Sequence, residues 1–507
     1  MRSIKLSLFT NFLSQIWGAL IGFLFIPVYV RILGIESYGI IGFFATLQAW
    51  FVLLDLGLTP ALGREMSRFL GGVYTAQAIR NLLRSLEILC LAIALIILSS
   101  IFLASSYFGY EWFKPGQLEA DTIHHSLIII AALVALRYVE GFYRAALIGL
   151  QLQVWCNLWN IFLAALRNIG VIGVLLWISP TLEAYFLWHT LVSIVAVALY
   201  VYKLNTALPA APNRAQFSLL AIKGIWKFAG GMVAINFIAM MLTQLDKLLL
   251  SKLLDLNIYG YYMLAATLAG VCYMVVGPIT SGIFPFMVEK STRNEESVLI
   301  RYYHQGSQLV ASLTTPVALV LLFFAEPAIY MWSGNMELAK NAAPILSVLV
   351  IGSYLNSLMW MPYQFQLANG ITKIILVGNL VATVIFVPGI YFLLPISGVI
   401  GIAWFWAVIN LGFVCIIVPI MHRRFLKGEM WKWYLQDTLF PMLSGLCVVC
   451  IAYVCRPTSI ENRALWFLYL AGTGLLTMMA TTASASMLRK YIIEFIKGTL
   501  LKRAVQK

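Results

Sequence analysis

Fourteen apolar stretches, each long enough to cross a bilayer, follow one another from Leu8 to Met487 with little polar interruption. A hydrocarbon core about 30 Å thick needs roughly 20 helical residues at about 1.5 Å rise each. The stretches fall near 8–30, 39–62, 84–107, 125–149, 152–177, 182–202, 226–251, 258–286, 305–331, 343–368, 372–394, 398–421, 437–455 and 465–487. Soluble chains carry about a quarter charged residues; here 11% are charged and 62% hydrophobic. The pattern predicts an all-α polytopic membrane protein of about fourteen transmembrane helices. The loops between the stretches, the longest near 108–122, 203–225 and 287–304, are too short for a folded soluble domain.

A net charge of +14 would suggest nucleic acid as the partner of a soluble chain. Its distribution argues otherwise. Arg64, Arg68, Arg80 and Arg84, then Arg214 and Lys223, Lys290, Arg293 and Arg301, Arg423, Arg424, Lys427 and Lys432, and Arg489 and Lys490 all fall in the N-terminal, even-numbered or C-terminal loops. The opposite loops hold only Arg31, Lys114, Lys252, Lys340, Arg456 and Arg463. By the positive-inside rule both termini are cytoplasmic, which requires an even number of spans. Anionic headgroups and topology account for the basic residues, and no nucleic acid is expected. Met1-Arg2-Ser3-Ile4-Lys5 leads into the first span without a cleavage-type site, so that span is expected to be retained. The seven cysteines all lie in spans. Cys447, Cys450 and Cys455 have no histidine nearby and read as small apolar filler rather than a metal site.

One internal echo organises the chain. Arg31-Ile-Leu-Gly-Ile-Glu-Ser-Tyr38-Gly39 links spans 1 and 2, and Lys252-Leu-Leu-Asp-Leu-Asn-Ile-Tyr259-Gly260 links spans 7 and 8. An offset of six spans keeps the two copies in the same orientation, which predicts parallel repeats about an axis along the membrane normal. The expected division is an N-lobe over 1–205 (spans 1–6), a C-lobe over 206–425 (spans 7–12), and spans 13–14 with a cytoplasmic tail over 426–507. Two like lobes with a site between them are a transporter architecture.

The stretch from Tyr29 to Gly39, followed by Asp55-Leu-Gly-Leu and Arg64-Glu65, resembles the start of a polysaccharide transporter. Gln244-Leu-Asp246-Lys247-Leu-Leu-Leu-Ser-Lys252, with Tyr259-Gly260-Tyr261-Tyr262 beyond it, adds to the likeness. Together they resemble the O-antigen flippase (Wzx-type) family of the multidrug/oligosaccharidyl-lipid/polysaccharide exporter superfamily. The resemblance implies a V-shaped pair of six-helix bundles working by alternating access, with no cofactor. Its implied substrate is an undecaprenyl-diphosphate-linked oligosaccharide, such as an O-antigen repeat unit, carried across a bacterial cytoplasmic membrane. Spans 13 and 14 depart from twelve-span members and match the layout of the lipid II flippases.

Charges at bilayer depth face a bundle interior or a wet cavity, because exposing one to lipid costs about 2.5–3.5 kcal/mol or more. Arg137, Glu140 and Arg144 sit at i, i+3 and i+7 of span 4 and form one polar edge. In span 5, Gln153, Asn157, Asn160, Arg167 and Asn168 share one face opposite Leu, Ile, Phe, Val and Trp. Arg167 lies near mid-depth, too far in to reach either surface easily. Arg137, Glu140, Arg144, Arg167, Gln153, Asn157, Asn160 and Lys247 are the candidate substrate-binding residues. Guanidinium forks suit phosphate oxygens, and amides suit sugar hydroxyls. A structural Arg–Glu pair and amide bonding between helices are the plainer alternatives. Asp246, beside Lys247 and on the helix of Asn236 and Thr243, and Asp55 near the end of span 2 are candidates for coupling or gating. Span 1 adds Asn11, Ser14, Gln15, Gly18 and Gly22 on one side, apt for close packing or a wet lumen.

Two other functions compete. A multidrug exporter of the same superfamily would favour an acidic or apolar cavity over these basic residues. A membrane-embedded polymerase or transferase would need a clustered acid–base site; Glu111, Glu119 and Asp121 with His124 and His125 read more simply as an exposed rim. A transporter rather than an enzyme is expected. There is no phosphate-binding Walker motif for direct ATP drive. Coupling to a proton or sodium ion through a buried carboxylate, and contact with polysaccharide assembly proteins, remain open.

Overall fold

The computed structural model describes residues 2–55, 57–218, 237–238, 240–457 and 462–490. Among these the fold is all-helical, and the one strand-like pairing is an isolated bridge between Lys114 and Asp255. Twelve helical stretches of the described residues are long and apolar enough to cross a membrane. Leu13–Leu33, Ile35–Asp55, Ala76–Trp112, Ala120–Gly149, Gln153–Trp177 and Leu182–Ala207 correspond to expected spans 1–6. Leu256–Thr292, Glu296–Phe323, Met336–Ala368, Met430–Val454 and Arg463–Ser484 correspond to spans 8, 9, 10, 13 and 14. The remaining stretch, Lys373–Phe425, has 53 residues. Straight, it would measure about 80 Å, more than twice the membrane core. It is broken at Gly398 (φ 61, ψ −159), the first residue of expected span 12. The first part of expected span 7, with Asn236, lies outside the described residues.

Local chemistry sets the helix ends. Gly34, at φ 85, turns the chain after Leu33, a conformation that costs a residue with a Cβ. Thr75, Thr181, Asn335 and Asn462 each accept a hydrogen bond from a backbone N–H of the helix they precede, satisfying a donor that has no partner inside the helix.

The chain forms two compact units, Met1–Gly260 and Tyr261–Lys507. Residues just before Gly260 dock within the first unit. Trp112 donates from Nε1 to Ser251 Oγ at 2.9 Å, and Leu256 N donates to Lys114 O at 2.9 Å. The two echo segments pack on each other. A Cβ at Gly260 would lie 2.3 Å from Ile35 O, and one at Gly39 would lie 3.3 Å from Leu256 O. Ile35 is the repeat equivalent of Leu256, and Gly39 of Gly260. Each copy therefore presses its aliphatic position against the other's glycine, the reciprocity of a two-fold contact. Both corners lie on one membrane face.

Loop contacts obey the expected alternation. On the side assigned to the exterior, Glu36 in the loop after span 1 accepts from the backbone N–H groups of Gly116, Gln117 and Leu118 in the loop after span 3, at 2.9–3.3 Å. Arg463, before span 14, donates to Met331 O at the end of span 9. On the other side, Arg80 donates to Asn205, Leu208 and Pro209 carbonyls, and Ser291 donates to Asn369.

In the second unit Glu296–Phe323 is central, and spans 13 and 14 pack against it rather than standing apart. A Cβ at Gly445 would meet Thr315, Thr477 and Thr481 methyls at 3.0–3.1 Å. Thr481 Oγ1 donates to Ser312 O at 2.8 Å. Small residues at such a crossing let backbones approach where no hydrophobic force separates helix from lipid.

Candidate functional site

The charged residues of spans 4 and 5 come together inside the first unit. Arg167 Nη2 donates to Glu140 Oε2 at 2.6 Å, and Arg137 Nη1 lies 3.9 Å from the same oxygen. The Arg167 and Glu140 side chains are 7% and 8% exposed, and Arg137 is 18% exposed. One carboxylate between two guanidiniums leaves the cluster one positive charge in excess. The Nε atoms of both arginines are buried with no hydrogen-bond partner among the described residues. Buried donors in native proteins nearly always find a protein group, water or ion, so this cluster has donor capacity to spare.

The other residues of the two stripes divide. Arg144 and Gln153 are exposed. Asn157 donates to Thr10 and Asn160 to Ser14 at 2.9 Å, while Tyr29 donates to Asn168 Oδ1 at 3.2 Å. The polar faces of spans 1 and 5 are thus turned toward each other, and these amides hold the two helices together. Gly18 and Gly22 have open space where a Cβ would point, so the glycines are not at a close crossing. Asp55 accepts from Thr59 N at 3.1 Å and from Thr59 Oγ1 at 2.5 Å, tying span 2 to the helix Leu58–Leu70. Asp246 is buried and 3.5 Å from Lys247, whose Nζ also donates to Thr243 O at 2.7 Å.

The structure adds polar residues that periodicity did not single out. His189 of span 6 is buried, with both ring nitrogens lacking a hydrogen-bond partner among the described residues, and stacks obliquely on Tyr185 at 4.6 Å. Its signal in the sequence was a lone histidine in an apolar span. In the second unit His304 lies between two carboxylates, with Nδ1 2.5 Å from Asp437 and Nε2 3.1 Å from Glu429. Gln308 donates to Asp437 at 2.9 Å and accepts from Met487 N. A cavity of about 200 Å³ opens beside them, also lined by Arg301, Lys432 and Gln436. His304 and Gln308 are four residues apart, and Asp437 is an acidic residue inside an apolar stretch, a signal that could have found the cluster. Glu429 lies outside the spans: burial would raise its pKa, but Lys432 and His304 outweigh this and hold it below the ordinary range.

Comparison with known proteins decides the family. A family model described as "Polysaccharide biosynthesis protein" matches residues 6–291, more than half of the chain. The chain belongs to that family. A Shigella flexneri protein named "Putative O-antigen transporter" is 21% identical over 392 residues, covering 75% of this chain and 88% of its own. Among solved structures, the lipid II flippase MurJ in an inward closed conformation is similar at TM-score 0.70 and 15% identity, covering 96% of this chain and 100% of its own. An inward-facing multidrug resistance MATE transporter of the MOP superfamily is similar at TM-score 0.66 and 14% identity, covering 82% and 96%. At such identities the likeness is one of fold. Family and fold agree with the resemblance drawn from the Tyr-Gly corners. The chain is a multi-pass membrane protein of the polysaccharide biosynthesis family.

Proposed function

We propose that this family member carries an undecaprenyl-diphosphate-linked oligosaccharide across the bacterial cytoplasmic membrane by alternating access between its lobes. The observation that carries the reading is the net-basic Arg137–Glu140–Arg167 cluster, buried within membrane-spanning helices and retaining unpaired guanidinium donors. Such groups match the oxygens of a diphosphate. Arg137, the less buried arginine, is the residue for direct phosphate contact; Glu140 and Arg167 hold it in place and join the contact when the cavity opens. Arg144, Gln153 and Lys247 extend the polar path, with Asn157 and Asn160 at its wall. Fourteen spans, cytoplasmic termini and the division at 205 and 425 belong to this reading, as do assembly proteins as partners. Asp246 and Asp55 are the carboxylates for proton or sodium coupling and gating.

The likeness to the MATE transporter favours a second reading, export of small drugs. One experiment separates the two. The chain is expressed in a strain that makes the lipid-linked repeat unit but lacks its translocator, and in a drug-sensitive strain. Restored surface polysaccharide, lost on Arg137→Ala at unchanged membrane abundance, is the expected result. Drug resistance without polysaccharide would overturn the proposal.

A further inference from the structure

An apolar groove of about 830 Å³ runs along the second unit between the two halves of Lys373–Phe425. Its walls follow from four-residue steps in the sequence. Lys373, Val377, Val381 and Ile385 line one wall; Val408, Gly412, Ile416, Ile420 and Arg424 line the other. Residues four apart share one face of a helix. The two halves run in opposite directions, so both ridges end in a cation at the same mouth. The floor is a close helix contact: a Cβ at Gly378 would lie 3.1 Å from Ile417 and 3.3 Å from Phe413. Gly412, also lining the groove, has nothing within 4 Å of the place its Cβ would take, so the space above it is open.

We propose that this groove is a binding site for one anionic phospholipid of the surrounding bilayer, its chains along the groove and its phosphate between Lys373 and Arg424. Three observations favour that occupant. The wall residues away from the mouth are apolar, which suits hydrocarbon. Neither Lys373 nor Arg424 has a carboxylate in ion-pair range among the described residues, and both are exposed. Lys290, in the polar recess that shares Phe425 with the groove, is already paired with Glu295 at 2.9 Å, so the free positive charge lies at the groove's own mouth. Basic pockets between transmembrane helices on the cytoplasmic side recognise such headgroups, and the charge bias of the loops assigns this mouth to that side. The site does not depend on which substrate the transporter carries.

The test uses the full-length protein, purified in mild detergent and analysed by native mass spectrometry with added phosphatidylglycerol or phosphatidylcholine. Wild type retains phosphatidylglycerol preferentially. The double variant Lys373→Gln/Arg424→Gln loses that preference by about thirtyfold, since each basic group near a headgroup contributes about fivefold. Gly412→Phe, which fills the open space, expels the lipid while both surface cations remain. Equal retention of the two lipids, or an unchanged preference in the double variant, overturns the proposal. Recovery of a polyprenyl-phosphate lipid in place of a phospholipid overturns it in favour of the other occupant.

Discussion

Replacing Arg167 by alanine tests the buried cluster most directly. The change leaves the Glu140 carboxylate, 8% exposed, with Arg137 at 3.9 Å as its remaining cation in place of a partner at 2.6 Å. Breaking one side of a buried ion pair costs about 3–5 kcal/mol; Arg137 offsets part of this, so the lower end, about 3 kcal/mol, is expected. In a unit of this size that corresponds to a fall in melting temperature of roughly 6 °C. Arg167→Met with Glu140→Met removes both charges and keeps the cluster at one positive charge, so its melting temperature should return to near that of wild type. Melting in detergent and surface polysaccharide in the complemented strain are then measured on the same variants. A stable but inactive double variant supports a role for the pair in transport. A stable and fully active one removes Arg167 and Glu140 from the site. If Arg167→Ala melts like wild type, the argument from burial is refuted.

Three further outcomes are expected. Glu36→Ala leaves three backbone N–H groups on 116–118 without their carboxylate and should destabilise the protein by about 1–3 kcal/mol; unchanged melting and unchanged protease resistance of that loop would refute the anchor. Gly260→Ala places a Cβ 2.3 Å from Ile35 O, where backbone must shift, and should lower melting temperature more than Gly412→Ala, which meets nothing; equal effects would contradict the reciprocal contact. The pKa of Glu429 is depressed, so its stabilisation is complete above the unfolded value of about 4.3 and is lost as pH falls through the folded value; hydrogen exchange in 426–437 should rise over that window in wild type, and a Glu429→Gln variant should lack the rise.

Much of the buried charged cluster was legible in the sequence, but its contacts were not. Helical periodicity placed Arg137, Glu140 and Arg167 on polar edges because the 3.6-residue repeat is a property of the backbone. It could not say that the edges of spans 4 and 5 meet at 2.6 Å, nor that Asn157 and Asn160 turn toward Thr10 and Ser14. Whether a polar side chain faces a lumen or a neighbouring helix depends on which helices pack, and that is a long-range matter. His304 and Asp437 are 133 residues apart and were not singled out for the same reason.

The sequence alone determined the membrane fold and the common face of the two Tyr-Gly corners. Hydropathy and charge bias act over one helix or one loop, so the linear order carries them. Tertiary structure decided that those corners interlock, that spans 13 and 14 pack on the ninth, and that the arginines of spans 4 and 5 share one carboxylate. In lipid every apolar helix face is equally well solvated. Partner choice therefore rests on shape and on a few polar contacts, which appear only when the helices are assembled.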